Sequence, residues 1–263
     1  EFTYDQGSLV TESSSLVDSR FYSPDAISHQ DFVMNFTDTN TVYDNGELIE
    51  DHNPLGLAIH QKTYAWNFPF ADFFVIMDFT IKNVSNRHID SVYVGLWTDA
   101  VVRNTKITPP RGGSFFNKGG NGFNDSLSIA YEFDATGDIG FTDSYLGVQY
   151  LGSEPRLDSA DTDPLPPVNF TSWQFRNTDD PNFFAPQNDI DRYKKMQGFF
   201  GGNNRYGQGI DPQSLKAPSN RSILISTGDF STIAPGDSIN VAFALVFAKK
   251  FGSDPAAMDT EEQ

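Results

Sequence analysis

Residues 72–99, DFFVIMDFTIKNVSNRHIDSVYVGLWTD, alternate apolar and other side chains over two long runs. Successive side chains of an extended strand point to opposite faces. Phe73, Val75, Met77, Phe79 and Ile81 therefore share one face. The other carries Phe74, Ile76, Asp78, Thr80 and Lys82, apolar at one end and polar at the other. In the second run Val92, Val94 and Leu96 oppose Ser91, Tyr93, Gly95 and Trp97. Between the runs, residues 83–88 (NVSNRH) are the small polar kind that bends a chain. The stretch predicts a hairpin of two long strands. Two strands cannot bury an apolar face alone, so other strands must cover it.

Those other strands are legible along the chain. Short alternating runs fall at 31–37, 55–66, 126–133, 144–151, 168–175 and 221–227. The cleanest is 239–247, where Ile239, Val241, Phe243, Leu245 and Phe247 share a face. Before it stands Ala-Pro-Gly-Asp-Ser at 234–238, with Pro and Gly placed for a type II turn. That turn predicts a second hairpin, closing 221–247. Residues 103–127 carry prolines and glycines and read as a loop, as does the Gly/Asn-rich 198–209. The best helix candidate, 189–197, is short. About nine strands with turn signals between them predict an all-β fold. The expectation is a β-sandwich, Ig-like or jelly-roll-like, with one or two short helices at most. Residues 1–30 form a leading arm and 31–250 the sandwich, with insertions at 103–127 and 153–220. Residues 251–263 are a polar tail or linker. The hairpin 72–99 and the strand 239–247 are expected in the core.

Composition narrows the function classes. The 263 residues include 24 Phe, which suits strands and sandwich cores. No cysteine is present, which excludes disulfides, thiol catalysis and Cys-ligated zinc. A net charge of −17 opposes binding to nucleic acid or anionic membranes. It is compatible with divalent cations, and equally with a plain solvated acidic surface. No apolar run is long enough to insert in a membrane. The first residue, Glu1, suggests a piece of something longer.

Several stretches resemble, in order, a β-rich module of large exported and cell-surface proteins of Bacteroidetes-type bacteria. Those proteins often carry type IX secretion sorting tails. The matching pieces are DFVMNFTDT, PLGLAIHQKTYAW, ADFFVIMDFTIKNVSNRHIDSVYVGLWTD, DATGDIGFTDSYLGVQYLG, DRYKKM and ISTGDFSTIAPGDSINVAFALVFA. They span about residues 31–248, and VGLW-x-D and APGDS are the sharpest features. The resemblance implies an extracellular or cell-surface β module and carries no settled activity. Its partners would be other domains of a longer parent, copies of itself, or glycans.

Two constellations could bind something. Asp134, Asp138 and Asp143 stand in one Gly-containing turn, and Asp99 ends the VGLW strand. Carboxylates spaced around a glycine let a backbone wrap a hard cation, so calcium is the candidate cofactor. The same residues also make an ordinary Asp/Gly turn. Tyr64, Trp66, Phe68 and Phe70, spaced by two, would form an aromatic platform for sugar rings on an exposed strand. They would equally serve as packing, and Pro69 marks an edge or strand end. His29, His52, His60 and His88 have no zinc spacing, and no catalytic fingerprint is present. Asn35, Asn83, Asn124, Asn169 and Asn220 precede x-Ser/Thr, which matters only in a eukaryotic source. The sequence thus points to a non-catalytic structural or adhesive module, calcium-stabilised and self-assembling, and not to an enzyme. The alternative is a carbohydrate-binding module of a polysaccharide-degrading system.

Overall fold

The computed structural model describes residues 3–4, 10–43, 45–157, 168–175, 183–198 and 211–249. The predicted tail at 251–263 and the Gly/Asn-rich 199–209 lie outside them, as do parts of the leading arm and of 153–220. The fold is all-β, as the alternation requires, with its strands in two antiparallel sheets of nine and three strands, consistent with a β-sandwich. Among the described residues three short helices accompany them, one more than expected: α1 (Gly113–Phe116), α2 (Asp189–Met196) and α3 (Pro212–Lys216).

The chain divides into two compact units. The first comprises residues 1–92, 151–157 and 229–243. Its sheet is built on β3 (Gln30–Thr37), β4 (Leu57–Ala65) and β5 (Phe74–Asn83), paired antiparallel in that order. Two short strands from the leading segment, β1 (Thr3–Tyr4) and β2 (Thr11–Ser13), share the outer edge of β3. An edge covered by short strands is blunted against further pairing. The second unit comprises residues 93–150, 158–228 and 244–263. It contains β7 (Gly119–Asn124), β8 (Ile129–Asp134) and the first part of β9 (Ser144–Glu154), paired antiparallel in order. It also contains β10 (Val168–Gln174), paired with the first part of β11 (Arg221–Ile233). β11, β6 (Ile89–Thr98) and β12 (Ser238–Lys249) each pass from one unit into the other.

Both predicted hairpins are corrected. β5 and β6 are not partners: β5 lies between β4 and β12 in the large sheet, and β6 pairs with β11 in the small one. β11 and β12 likewise separate into different sheets. Each polar turn is therefore a corner. The physical reason is Asn83, whose side chain is fully buried. Its Nδ2 donates to the carbonyls of Arg87 (2.8 Å) and Ile233 (2.9 Å), joining one corner to the other. Its backbone amide donates to Asp237 O, and its carbonyl accepts from Gly236 N–H, both at 2.9 Å. The 234–237 turn itself forms as predicted. Asp237 N–H donates to Ala234 O at 3.0 Å, and Gly236 takes φ +88°, which glycine adopts freely. An Asn83 so enclosed offers no glycosylation acceptor.

A second buried side chain pins this end of the first unit. Asp38 accepts three successive backbone amides, from Leu55 (2.6 Å), Gly56 (3.1 Å) and Leu57 (2.7 Å). Gly56 has φ +83°, and a Cβ there would lie 2.6 Å from Ser85 Cβ.

The core is not centred on residues 72–99. Of β5 only Ile81 and Asn83 are buried, and β6 has no buried residue. The apolar residues with almost no exposure lie on β8 to β12: Ala130, Val148, Val168, Phe170, Ile223, Ile225, Val241 and Phe243. β12 is thus a core strand, as expected, through Phe243 and Ala244. Beyond them Phe247 is exposed. The predicted loop 103–127 contains α1 and β7.

Candidate functional site

The aromatic run belongs to the first unit. Tyr64 sits on β4, opposite Asp31 on β3 and Ile76 on β5. Burial and the nearby carboxylates of Asp78 and Asp31 raise its phenol above the ordinary value. β4 ends at Ala65, so Trp66, Phe68 and Phe70 are not on a strand, contrary to expectation. They occupy the turns leading into β5. Two hydrogen bonds hold this segment, Ala71 N–H donating to Phe68 O (2.8 Å) and Asn67 N–H donating to His29 Nδ1 (3.0 Å), and Ala71 is buried. The rings form two groups, one of His29, Phe68 and Phe70 and one of Tyr64, Trp66, Phe74 and Phe73. Phe68 and Phe70 are parallel within 6° at 5.2 Å, and His29 meets Phe68 edge-on at 4.4 Å. Trp66 lies 6.4 Å from Tyr64 and 6.0 Å from Phe74, and Phe74 is 5.4 Å from Phe73. Phe70 is 74 % exposed, Phe73 44 % and Phe68 41 %.

The acidic turn belongs to the second unit. Its carboxylates are answered from within the chain. Arg103, almost fully buried, forks between Asp134 Oδ2 (2.6 Å) and Asp138 Oδ1 (2.7 Å). Lys118 Nζ reaches Asp138 Oδ2 at 2.9 Å. Asp134 also accepts from Thr136 N–H, Thr136 Oγ1 and Thr142 N–H, which shapes the turn. The lysine and arginine hydrogen bonds pull Asp138 down to about 2 against the desolvation that opposes them. Asp143 lies apart from this fork, 3.5 Å from Lys249. Asp99 is not bonded to the turn. Partial desolvation raises its carboxyl, and its charge acts on Glu132. Among the described residues no group of three or more His, Cys, Asp or Glu is placed to hold a metal ion.

Glu132, which no sequence pattern singled out, is the most perturbed group. It faces Asn121 across the β7–β8 pair and is 3 % exposed. Oε2 accepts from Ala100 N–H at 3.1 Å, while Oε1 has no partner. Burial, with the nearby Asp99 charge, pushes its carboxyl up to about 9 against the Ala100 bond, so it is a neutral acid at pH 7. Together with Arg221 it lines a small cavity. Arg103 was also missed, because its partners lie 31 and 35 residues away and no local spacing announces them. Trp97 was legible only as part of VGLW-x-D.

No family model matches this chain, and no curated protein does.

Proposed function

We propose that the chain is a non-catalytic structural or adhesive module of an extracellular or cell-surface bacterial protein, which contacts copies of itself through the aromatic rim of its first unit. The observation that carries this reading is the exposure of the stacked pair Phe68 and Phe70, with Phe73 also exposed three residues further along the same segment. A patch of large apolar rings left to water gains free energy when a partner covers it. Aromatic side chains are the type enriched at protein contacts. The resemblance to exported β modules supports the compartment.

The test is sedimentation of the full chain across concentration, alone and as the Phe68→Ser/Phe70→Ser double variant. The wild type should associate reversibly, and the variant should remain monomeric at unchanged melting temperature. Because each copy carries −17, added salt should strengthen the association by screening repulsion. A wild type that stays monomeric at every concentration and salt would refute the reading. One observation favours a second reading, a carbohydrate-binding module: parallel Phe68 and Phe70 present an aromatic plane. A saccharide that binds wild type and not the double variant would favour it.

A further inference from the structure

An asparagine followed by glycine carries a reaction of its own. The glycine nitrogen can attack the asparagine side-chain carbonyl carbon, closing a five-membered ring, and glycine has no Cβ to block the approach. The chain holds two such pairs, Asn45-Gly46 and Asn121-Gly122.

Asn45-Gly46 stands at the tip of a short turn in the first unit, closed by the antiparallel bridge of Val42 and Leu48. Asn45, Gly46 and Glu47 are all exposed. Gly46 takes φ +84°, and a Cβ built there would meet nothing within 4 Å, so nothing crowds the glycine. Asn45 Oδ1 accepts from Glu47 N–H at 3.0 Å, which folds the side chain back over the Gly46 peptide. Nδ2, the nitrogen that would leave, donates to the Glu47 carboxylate at 2.9 Å. One bond opposes the reaction: Gly46 N–H donates to Tyr43 O at 2.8 Å. On an exposed tip such a bond opens at little cost.

Asn121-Gly122, in the second unit, has the same chemistry without the access. Asn121 is 1 % exposed, and both residues belong to the β7–β8 ladder. Asn121 Oδ1 accepts from Ser172 Oγ at 2.7 Å, and Nδ2 donates to Gly120 O, on the side away from Gly122. The Tyr131 ring fills the space over Gly122. Turning the Asn121 side chain onto the Gly122 nitrogen would break these bonds and the ladder together.

We propose that Asn45 is a site of spontaneous deamidation, and that the fold protects Asn121 from the same reaction. The Gly46 nitrogen gives its proton to hydroxide and bonds to Asn45 Cγ. The Cγ–Nδ2 bond breaks, and the nitrogen leaves as ammonia. Water then opens the cyclic imide at either carbonyl. One opening gives aspartate, and the other gives isoaspartate, with the main chain rerouted through Cγ. The net change is one water consumed, one ammonia released and one carboxylate gained beside Glu47. Isoaspartate also lengthens the turn by one backbone atom, which works against the Val42–Leu48 bridge. The site uses none of the rim residues and stands independently of the rim's role.

The experiment incubates the full chain at neutral and at mildly alkaline pH. Peptide mass spectrometry, with a separation that resolves aspartate from isoaspartate, reads the products. Asn45 should convert at least about tenfold faster than Asn121, the factor supplied by each 1.4 kcal/mol of extra opening free energy. The rate should rise with pH, because the attacking nitrogen must lose its proton, and both products should form. In denaturant the two pairs should react at similar rates. Asn45→Gln, an exposed change that leaves folding intact, should abolish the fast reaction, since the longer side chain closes a less favourable ring. Three results would overturn the proposal. They are equal rates at the two pairs in the folded chain, an Asn45 that persists when folded yet reacts in denaturant, and aspartate as the sole product. The last would mean direct hydrolysis of the side chain without the ring.

Discussion

The aromatic rim and the acidic turn stand out equally in the sequence, and the fold treats them oppositely. The turn's carboxylates are closed off: Arg103 and Lys118 meet Asp134 and Asp138 charge for charge. The rim is left open, with Phe70 mostly in water. A cluster whose members are satisfied within the chain holds the chain together. A cluster whose members remain unsatisfied is available to something else.

The contrast is sharpest in stability. Arg103→Met should cost about 3–5 kcal/mol, because it strands the buried Asp134 charge. Adding Asp134→Asn should restore much of that loss. A denaturant titration reads both, and a single variant as stable as wild type would mean that the fork does not organise the turn. Glu132→Gln should act the other way. Below pH 4.5 the folded and unfolded chains both keep this carboxyl neutral, and between there and about 9 only the unfolded chain ionises. Stability contributed by the neutral acid is therefore lost as pH rises through that window. At pH 7 the loss amounts to roughly 3 kcal/mol at 1.36 kcal/mol per pKa unit. The glutamine variant should recover it and flatten the profile of melting temperature against pH. A profile as steep as wild type would contradict the neutral acid.

Smaller effects test the open side of the comparison. Phe70→Ser should change stability by no more than about 0.5 kcal/mol, as for exposed positions generally. A larger loss would show the ring to be packed. Calcium should act more weakly still, since an ion on the turn would have to share Asp134 and Asp138 with Arg103 and Lys118. Melting in calcium and in EDTA should agree within about 0.5 kcal/mol, where a ligand at a hundredfold excess over Kd would give about 2.7. A shift of that size would put a cation on the turn and move it to the open side.

How far these distinctions were legible follows from the range of the forces. Strands such as β3, β4 and β10, helix α2 and the Pro-Gly turn announce themselves locally. Alternation marks a strand but not its partner. Residues 83–88 therefore read as a hairpin turn, although the Asn83 side chain binds Ile233, 150 residues away. β7 was hidden because its sequence, GGNGFN, looks like a loop. Its Gly122 is needed for a reason visible only in space: a Cβ there would lie 2.0 Å from the Tyr131 ring. The spacing of Tyr64 to Phe70 read as one strand, but β4 ends at Ala65 and leaves Trp66, Phe68 and Phe70 beyond it.

The most direct test of the open rim is sedimentation of wild type and of Phe68→Ser/Phe70→Ser at low and high salt. The account predicts a wild type that associates, more strongly in salt, and a variant that is monomeric with the same melting temperature. Equal behaviour of the two proteins, whether both associate or both stay monomeric, would contradict it.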